Sequence, residues 1–259
     1  MSARSRVGAT ALSCMLLAAP AADAASLRGS GGADRINGTP RGDSIRALAG
    51  GDVVHGNRGN DNISAGRGRD RVYGDGGNDR IHAGAGHDRA CGGRGNDDII
   101  GIDGNDVLLG EAGNDHVSGG KGHVTLFGGP GEDNMDGGRG NDWIYGGSGG
   151  EGSINGRRVV GRSITGDQGH DVIVPGSGQD YVYGEEGRNV VIVRNDGVFD
   201  EIFCSLKRDK SQPAGLLIYL DDGKGAVRDS RDRVKRCRVR TMTAKQLKAA
   251  YPRLILRLV

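Results

Sequence analysis

Gly92-Gly93-Arg94-Gly95-Asn96-Asp97-Asp98-Ile99-Ile100 has glycine at positions one, two and four of a nine-residue unit, aspartate at six and a large aliphatic at eight. Stepping back by nine from Asp97 meets Asp88, Asp79, Asp70, Asp61, Asp52, Asp43 and Asp34, and stepping forward meets Asp106 and Asp115. The next slot is Val124, after which Asp133 and Asp142 resume the series, so twelve of thirteen consecutive slots hold aspartate. Two residues after each slot lies an apolar residue: Ile36, Ile45, Val54, Ile63, Val72, Ile81, Ala90, Ile99, Leu108, Val117, Leu126, Met135 and Ile144. Two residues before it lies glycine in every repeat but one, where Arg41 stands. Chance does not build such a register.

Beyond Asp142 the spacing breaks. The span 146–165 is two residues longer than two repeats and has no acid where one is due except Glu151. The pattern recovers at Asp171 with Ile173 and at Asp180 with Val182, and fades at Asn189 with Val191. Residues 151–162 read as a loop set into the repeats.

The spacing dictates an all-β solenoid. The triplet around position eight is a minimal strand whose middle side chain points inward. Glycines allow the rest of the unit to turn with positive φ, where a Cβ would clash. Two nonapeptides then close one coil of eighteen residues, and successive coils stack by parallel strand pairing about 4.8 Å apart. Aspartates eighteen apart therefore share an edge. One edge carries Asp34, Asp52, Asp70, Asp88 and Asp106, and the other carries Asp43, Asp61, Asp79, Asp97, Asp115 and Asp133. At about 5 Å and an effective dielectric near 20, each unscreened pair repels by roughly 3 kcal/mol. A hard divalent cation offsets that repulsion. Calcium takes six to eight oxygens, carboxylate and carbonyl alike, whereas magnesium prefers a tight octahedron and keeps its waters.

The repeats resemble the RTX, or hemolysin-type, calcium-binding nonapeptides, over roughly residues 28–193. The resemblance implies a right-handed parallel β-roll with calcium between turns on both edges. It places the metal-binding aspartates at position six: Asp34, Asp43, Asp52, Asp61, Asp70, Asp79, Asp88, Asp97, Asp106, Asp115, Asp133, Asp142, Asp171 and Asp180. Four same-edge pairs on one side and five on the other set nine Ca2+ as the upper number in the main block. Departures weaken parts of this. Val124 removes a carboxylate, Arg41, Leu48 and Ile102 replace turn glycines, and Arg35, Arg71, Arg80 and Arg89, each beside an aspartate, are expected to offset ladder charge.

Composition agrees with a repeat architecture. Glycine supplies 50 of 259 residues, which disfavours helical bundles at about 1 kcal/mol per helical position. The net charge of +2 hides a segregation. Residues 26–203 hold 18 Lys/Arg against 27 Asp/Glu, and residues 204–259 hold 15 against 5, an acidic body followed by a basic tail. Residues 1–25 read as a secretory signal peptide, with Arg4 and Arg6, an apolar stretch of about 13 residues and small residues at the cleavage region. No later stretch is long enough to span a bilayer. Export leaves Cys91, Cys204 and Cys237 in an oxidising compartment, one disulfide and one odd thiol.

The organisation expected is a leader (1–25), a β-roll (26–198) with an irregular insertion near 146–165, and a basic C-terminal cap region (199–259). Asp200-Glu201-Ile202-Phe203-Cys204 and Asp232-Arg233-Val234-Lys235-Arg236-Cys237 resemble the paired terminal strands of stand-alone, Sec-exported bacterial calcium-repeat proteins. That resemblance implies a Cys204–Cys237 disulfide. A solenoid end exposes its core and needs a cap; the rival reading of the tail is a patch for an acidic polysaccharide or cell-envelope polymer. No nucleic-acid motif accompanies the charge. Thr243 and Gln246 form a capping-box pattern opening a short helix.

No enzyme site is legible. There is no H-E-x-x-H, and Ser148 matches G-x-S-x-G only because glycine is so abundant, outside any strand-turn-helix context. His87, His123 and His170 fill the fifth repeat position, read as variable. The expected function is a secreted calcium-binding β-roll that folds with its ions. An adhesin or matrix component and an exported toxin or hydrolase accessory are the alternatives.

Overall fold

The structure is a computed structural model that describes residues 24–148, 163–193, 201–204, 215–221, 233–235, 237–243, 245, 246 and 249. Nearly all of the expected leader and the whole of the 151–162 loop lie outside the described residues. The chain divides into two compact units, Met1–Thr125 and Leu126–Val259.

The first unit holds β1 (Ser26–Arg28), β2 (Arg35–Asn37), β3 (Ser44–Ala49), β4 (Val53–His55), β5 (Asn62–Gly68), β6 (Arg71–Gly76), β7 (Arg80–Gly86), β8 (Arg89–Arg94), β9 (Asp98–Asp103), β10 (Val107–Ala112) and β11 (His116–Lys121). Odd-numbered strands form one sheet in chain order and even-numbered strands the other. Pairing is parallel and steps by one coil: Ile45 faces Ile63 and Ile63 faces Ile81, while Val54 faces Val72 and Val72 faces Ala90. The expected parallel β-solenoid is present. Its core is the position-eight column, with Ile45, Val54, Ile63, Val72, Ile81, Ala90, Ile99, Leu108 and Val117 fully buried. Each is flanked by more exposed neighbours, the alternation of a strand with one face inward.

Close stacking explains the turn glycines. Gly68 has φ +143°, and a Cβ there would overlap the carbonyl oxygen of Gly50 in the coil before. At position two the left-handed turn persists even without glycine: Leu48 and Ile102 both have φ 88°. For a β-branched residue such as Ile102 this is a strained conformation, costing on the order of 1–3 kcal/mol. These substitutions load the turn with strain without abolishing it.

β12 (Thr125–Pro130) begins at the division. The second unit continues with β13 (Asn134–Asp136), β14 (Trp143–Ser148), β15 (Ser163–Thr165), β16 (Val172–Val174), β17 (Tyr181–Tyr183), β18 (Val190–Val193), β19 (Glu201–Phe203), β20 (Gly215–Asp221), β21 (Arg233–Lys235) and β22 (Cys237–Thr243). Odd and even strands again separate into two parallel sheets. Met135 pairs with Ile164 and Ile144 with Ile173, so the extra residues are taken up between β14 and β15 with both sheets kept in register. Regular strand runs to Ser148 and resumes at Ser163, inside the 146–165 span.

The tail builds further coils of the same kind. Val182 pairs with Ile202 and Ile202 with Val234 in one sheet; Val191 pairs with Leu217 and Leu217 with Val239 in the other. The expected pairing of the two terminal segments is therefore seen, as is the Cys204–Cys237 disulfide, with Cα atoms 5.2 Å apart. Thr243 and Gln246 make the capping-box contacts, Gln246 N–H to the threonine hydroxyl at 3.3 Å and Thr243 N–H to the glutamine oxygen at 2.9 Å. Alternation places Ile192 and Ile218 on the outer side of the even sheet, yet both are fully buried, with Trp143, Val172, Val174, Val190, Leu216 and Met242 packed around them. This second apolar layer is absent from the repeat pattern.

Candidate metal centre

Position six sits at the last step of each turn, immediately before a strand, so the aspartate backbone enters the sheet ladder while its side chain stays inside the coil edge. Asp43, Asp52, Asp61, Asp70, Asp79, Asp88, Asp97, Asp106, Asp115, Asp133, Asp142, Asp171 and Asp180 are all buried. Burying so many carboxylates has to be compensated by hydrogen bonds or ions.

One oxygen of each is compensated in a regular way. The backbone N–H of Asp61 donates to Oδ1 of Asp79 at 2.8 Å, and Asp79 to Asp97 and Asp97 to Asp115 do the same at 2.8 Å. The opposite edge repeats it from Asp52 to Asp70 at 2.7 Å, and from Asp70 to Asp88 and Asp88 to Asp106 at 2.8 Å. In the second unit Asp142 donates to Asp171 at 3.0 Å across the long connection, and Asp171 donates to Oδ1 of Asn189 at 3.0 Å.

The other oxygen is not compensated. Oδ2 of Asp52, Asp61, Asp70, Asp79, Asp88, Asp97, Asp106 and Asp171 is buried with no hydrogen-bond partner. Several of these oxygens face a second acceptor across a position-one glycine. A Cβ on Gly166 would lie 2.5 Å from Oδ2 of Asp171 and 2.9 Å from the carbonyl oxygen of Gly184. On Gly101 it would lie 2.8 Å from Oδ2 of Asp106 and 2.5 Å from the Gly119 carbonyl. At these two glycines a Cβ would fill the space between carboxylate and carbonyl, whereas the repeats of Asp52, Asp70 and Asp88 carry Ala47, Ala65 and Ala83 at the same position. Oxygen facing oxygen with no proton between them asks for a cation.

Asn189 shows the alternative solution. At the slot where the aspartate series ends, its side-chain amide donates to the carbonyls of Gly184 and Cys204. Here an amide N–H stands where the aspartates present a bare oxygen.

The electrostatics follow. Burial, the largest cause, pushes Asp61 up to about 7, against the opposing effect of the Asp43 N–H and with the charges of Asp79 and Asp43 raising it further. Asp79, Asp88 and Asp97 rise to about 6 and Asp171 to about 8, burial again dominating. Asp52, Asp70 and Asp106 are raised for the same reason. A bare ladder holds its charge reluctantly.

The first two aspartates differ. Oδ2 of Asp34 accepts from the Ser30 N–H at 2.6 Å and its hydroxyl at 2.9 Å, and Asp43 accepts from Thr39 N–H at 2.5 Å and hydroxyl at 3.0 Å. Ser30 and Thr39, both at position two, occupy oxygens that the later repeats leave open. Val124, fully inside the coil, has no side-chain oxygen for the ladder. Arg35, Arg71, Arg80 and Arg89 are exposed on the outer faces, and Arg80 pairs with Asp98 at 3.1 Å. The arginines beside the aspartates thus turn away from the ladder instead of neutralising it.

Position five, read as variable, carries a second ladder. Asn78 N–H donates to Oδ1 of Asn60 at 2.8 Å, Asn96 to Asn78 at 2.9 Å and Asn114 to Asn96 at 2.8 Å. Nδ1 of His87 accepts from Asn105 at 2.9 Å, and Nδ1 of His170 from Arg188 at 2.9 Å. The clue was the alternation of Asn with His, two side chains sharing an acceptor at similar reach.

Among the described residues no group of three or more His, Cys, Asp or Glu side chains converges. The available donors are single carboxylates spaced by one coil, together with backbone carbonyls. That all-oxygen set suits a hard cation and the coordination habit of calcium.

The profile of the RTX calcium-binding nonapeptide repeat matches residues 28–63, 55–90, 92–126, 125–150 and 163–191. The chain belongs to that family. The matched segments of this RTX chain contain every position-six aspartate from Asp34 to Asp180 and stop just short of the four tail strands. No curated protein matches the chain.

Proposed function

We propose that this RTX protein is a secreted calcium-binding solenoid that folds together with its ions. The carrying observation is the set of eight buried Oδ2 atoms without hydrogen-bond partners, several of them set against a glycine carbonyl. Asp52, Asp61, Asp70, Asp79, Asp88, Asp97, Asp106 and Asp171 would hold the ions, with Asp115, Asp133, Asp142 and Asp180 continuing the series. Asp34 and Asp43 contribute less, since Ser30 and Thr39 already engage them. Bound calcium supplies positive charge between carboxylates stacked one coil apart and removes their mutual repulsion. Nine ions remain the upper number for the main block.

Secretion is supported by the leader-like residues 1–25 and by the disulfide, which persists in oxidising compartments. No helix among the described residues is long and apolar enough to cross a membrane. The role assigned to the ladder is binding.

Circular dichroism of the chelated chain, titrated with calcium, is the test. The spectrum should change from largely unordered to β-rich, with a midpoint of about 0.1–1 mM as for extracellular calcium modules. An unchanged spectrum would overturn the coupling of folding to calcium.

A further inference from the structure

Removing the ladder from the charge count reverses the character of the first unit. Residues 26–125 hold twelve Lys/Arg against fourteen Asp/Glu, but ten of those acids are the position-six aspartates, buried or nearly so and committed to the ladder. The remaining four are Asp75, Asp98, Asp103 and Glu111. Three of these are already engaged: Asp98 with Arg80 at 3.1 Å, Asp103 with Lys121 at 3.0 Å and Asp75 with His55 at 3.0 Å. The body that reads as acidic in sequence therefore presents a basic surface, and does so fully once cations neutralise the ladder.

Three of the twelve basic residues, Arg35, Arg71 and Arg89, stand on the outer face of the even sheet; the odd sheet carries Arg28, Arg46 and Arg80, the last already paired with Asp98. Arg71 and Arg89 are paired residues on adjacent parallel strands, both exposed, and Arg35 stands in the same column one strand beyond Val53. Like charges directly opposite each other destabilise a sheet; the acid nearest this column is Asp75, held by His55 at 3.0 Å. Arg35 and Arg71 form no ion pair among the described residues. The neighbouring position-nine column carries His55 and Tyr73, whose rings stack with centroids 4.5 Å apart. Guanidinium groups in a row at strand spacing suit carboxylates or sulfates along an extended polymer, which they bind bidentately. The half-exposed His55–Tyr73 pair adds aromatic surface beside that row.

We infer that this face, centred on Arg35, Arg71, Arg89, His55 and Tyr73, binds an acidic polysaccharide when calcium fills the ladder. The inference rests on the calcium reading above and moves the anion-binding surface from the basic tail to the roll itself. No nucleic-acid motif accompanies the arginines, and a single-stranded DNA oligomer serves as the comparator below. Among the described residues the exposed large hydrophobics are Ile102 and Val239, neither on this face, so it has no apolar anchor for a lipid surface.

The test measures binding of the full chain to dextran sulfate and polygalacturonate, with neutral dextran and a single-stranded DNA oligomer as comparators. Each measurement is made with calcium and with chelator and is accompanied by far-UV circular dichroism. Wild type should bind both acidic glycans in calcium, lose them at least tenfold in chelator and ignore neutral dextran. R71E/R89E should weaken glycan binding at least tenfold while reaching the same calcium-induced spectrum; if it fails to fold, R71Q/R89Q is read instead. R238E/R240E, altering exposed arginines of the tail, should bind as wild type. Unchanged binding by R71E/R89E, loss confined to R238E/R240E, or DNA bound as tightly as glycan each overturns the inference. If calcium leaves the spectrum unchanged yet R71E/R89E loses binding, the folding reading fails and the face stands. If calcium folds the chain and R71E/R89E binds normally, the face fails alone.

Discussion

The N–H of Asp171 donates to the side-chain oxygen of Asn189 at 3.0 Å, the bond that Asp61 makes to Asp79 elsewhere in the ladder, but Asn189 adds an N–H where aspartate has a bare oxygen. The same chain thus contains both the charged rung and its uncharged equivalent. One rung leaves a buried oxygen without a hydrogen-bond partner and the other does not.

Asp79→Asn should copy Asn189. It keeps the Oδ1 acceptor for Asp61 and places an amide donor where Oδ2 now lies unpartnered. Expected is a more stable chelated chain, by about 1–3 kcal/mol for a satisfied buried group, and fewer calcium ions bound. Circular dichroism in chelator, which reads how much of the chain is ordered, and calorimetric calcium stoichiometry measure the two effects. A variant that binds as many ions as wild type would remove Asp79 from the site.

Stability should depend on pH in opposite directions with and without calcium. Asp61 near 7, Asp79, Asp88 and Asp97 near 6 and Asp171 near 8 all lie above the ordinary aspartate value of 3.8. Without metal the folded state binds more protons than the unfolded one, so its stability is greatest in acid. It is lost as pH rises from about 4 through about 6–8. Calcium has to displace those protons, so its affinity rises across the same window. Circular dichroism in chelator at pH 5 and pH 8, with calcium titrations at both, checks the crossing. A chelated chain more ordered at pH 8 than at pH 5 would contradict it.

Turn geometry predicts a contrast between two substitutions. Gly68→Ala pushes a methyl onto the carbonyl of Gly50 at φ +143° and should cost more than about 1 kcal/mol. Ile102→Gly relieves a left-handed β-branched residue at φ 88° and should be neutral or stabilising by about 1 kcal/mol. Denaturant unfolding of the calcium-loaded chain measures both, and equal effects would refute the strain argument.

Cys204→Ser should affect only the end of the solenoid. The disulfide closes a loop of 33 residues and contributes about 3–4 kcal/mol. Its removal should expose the tail strands to proteolysis while calcium stoichiometry stays unchanged. Loss of calcium binding as well would show that the tail and the ladder fold as one cooperative unit.

Much of this molecule was legible in its residues because the repeat is local. Ile45, Val54 and Ile63 are core residues by position alone, and the aspartate spacing brings carboxylates together once each coil takes eighteen residues. The Asn and His ladder at position five was present in the sequence but unmarked, since only the stacked backbone shows that Asn60 answers the N–H of Asn78. Ser30 and Thr39 likewise look like weak turn residues until their hydroxyls are seen on Asp34 and Asp43.

The amino-acid sequence by itself determined the coil length, the inward column, the buried aspartates and the likeness that names calcium, because a fixed period converts spacing directly into stacking. Tertiary structure alone decided the rest. It turned Arg35, Arg71 and Arg89 outward, so that an acidic body carries a basic face. It also carried β19 to β22 into further coils, Val182 against Ile202 and Leu217 against Val239, through spacings no repeat encodes. Charge direction and irregular register depend on which backbones meet, and composition does not record that.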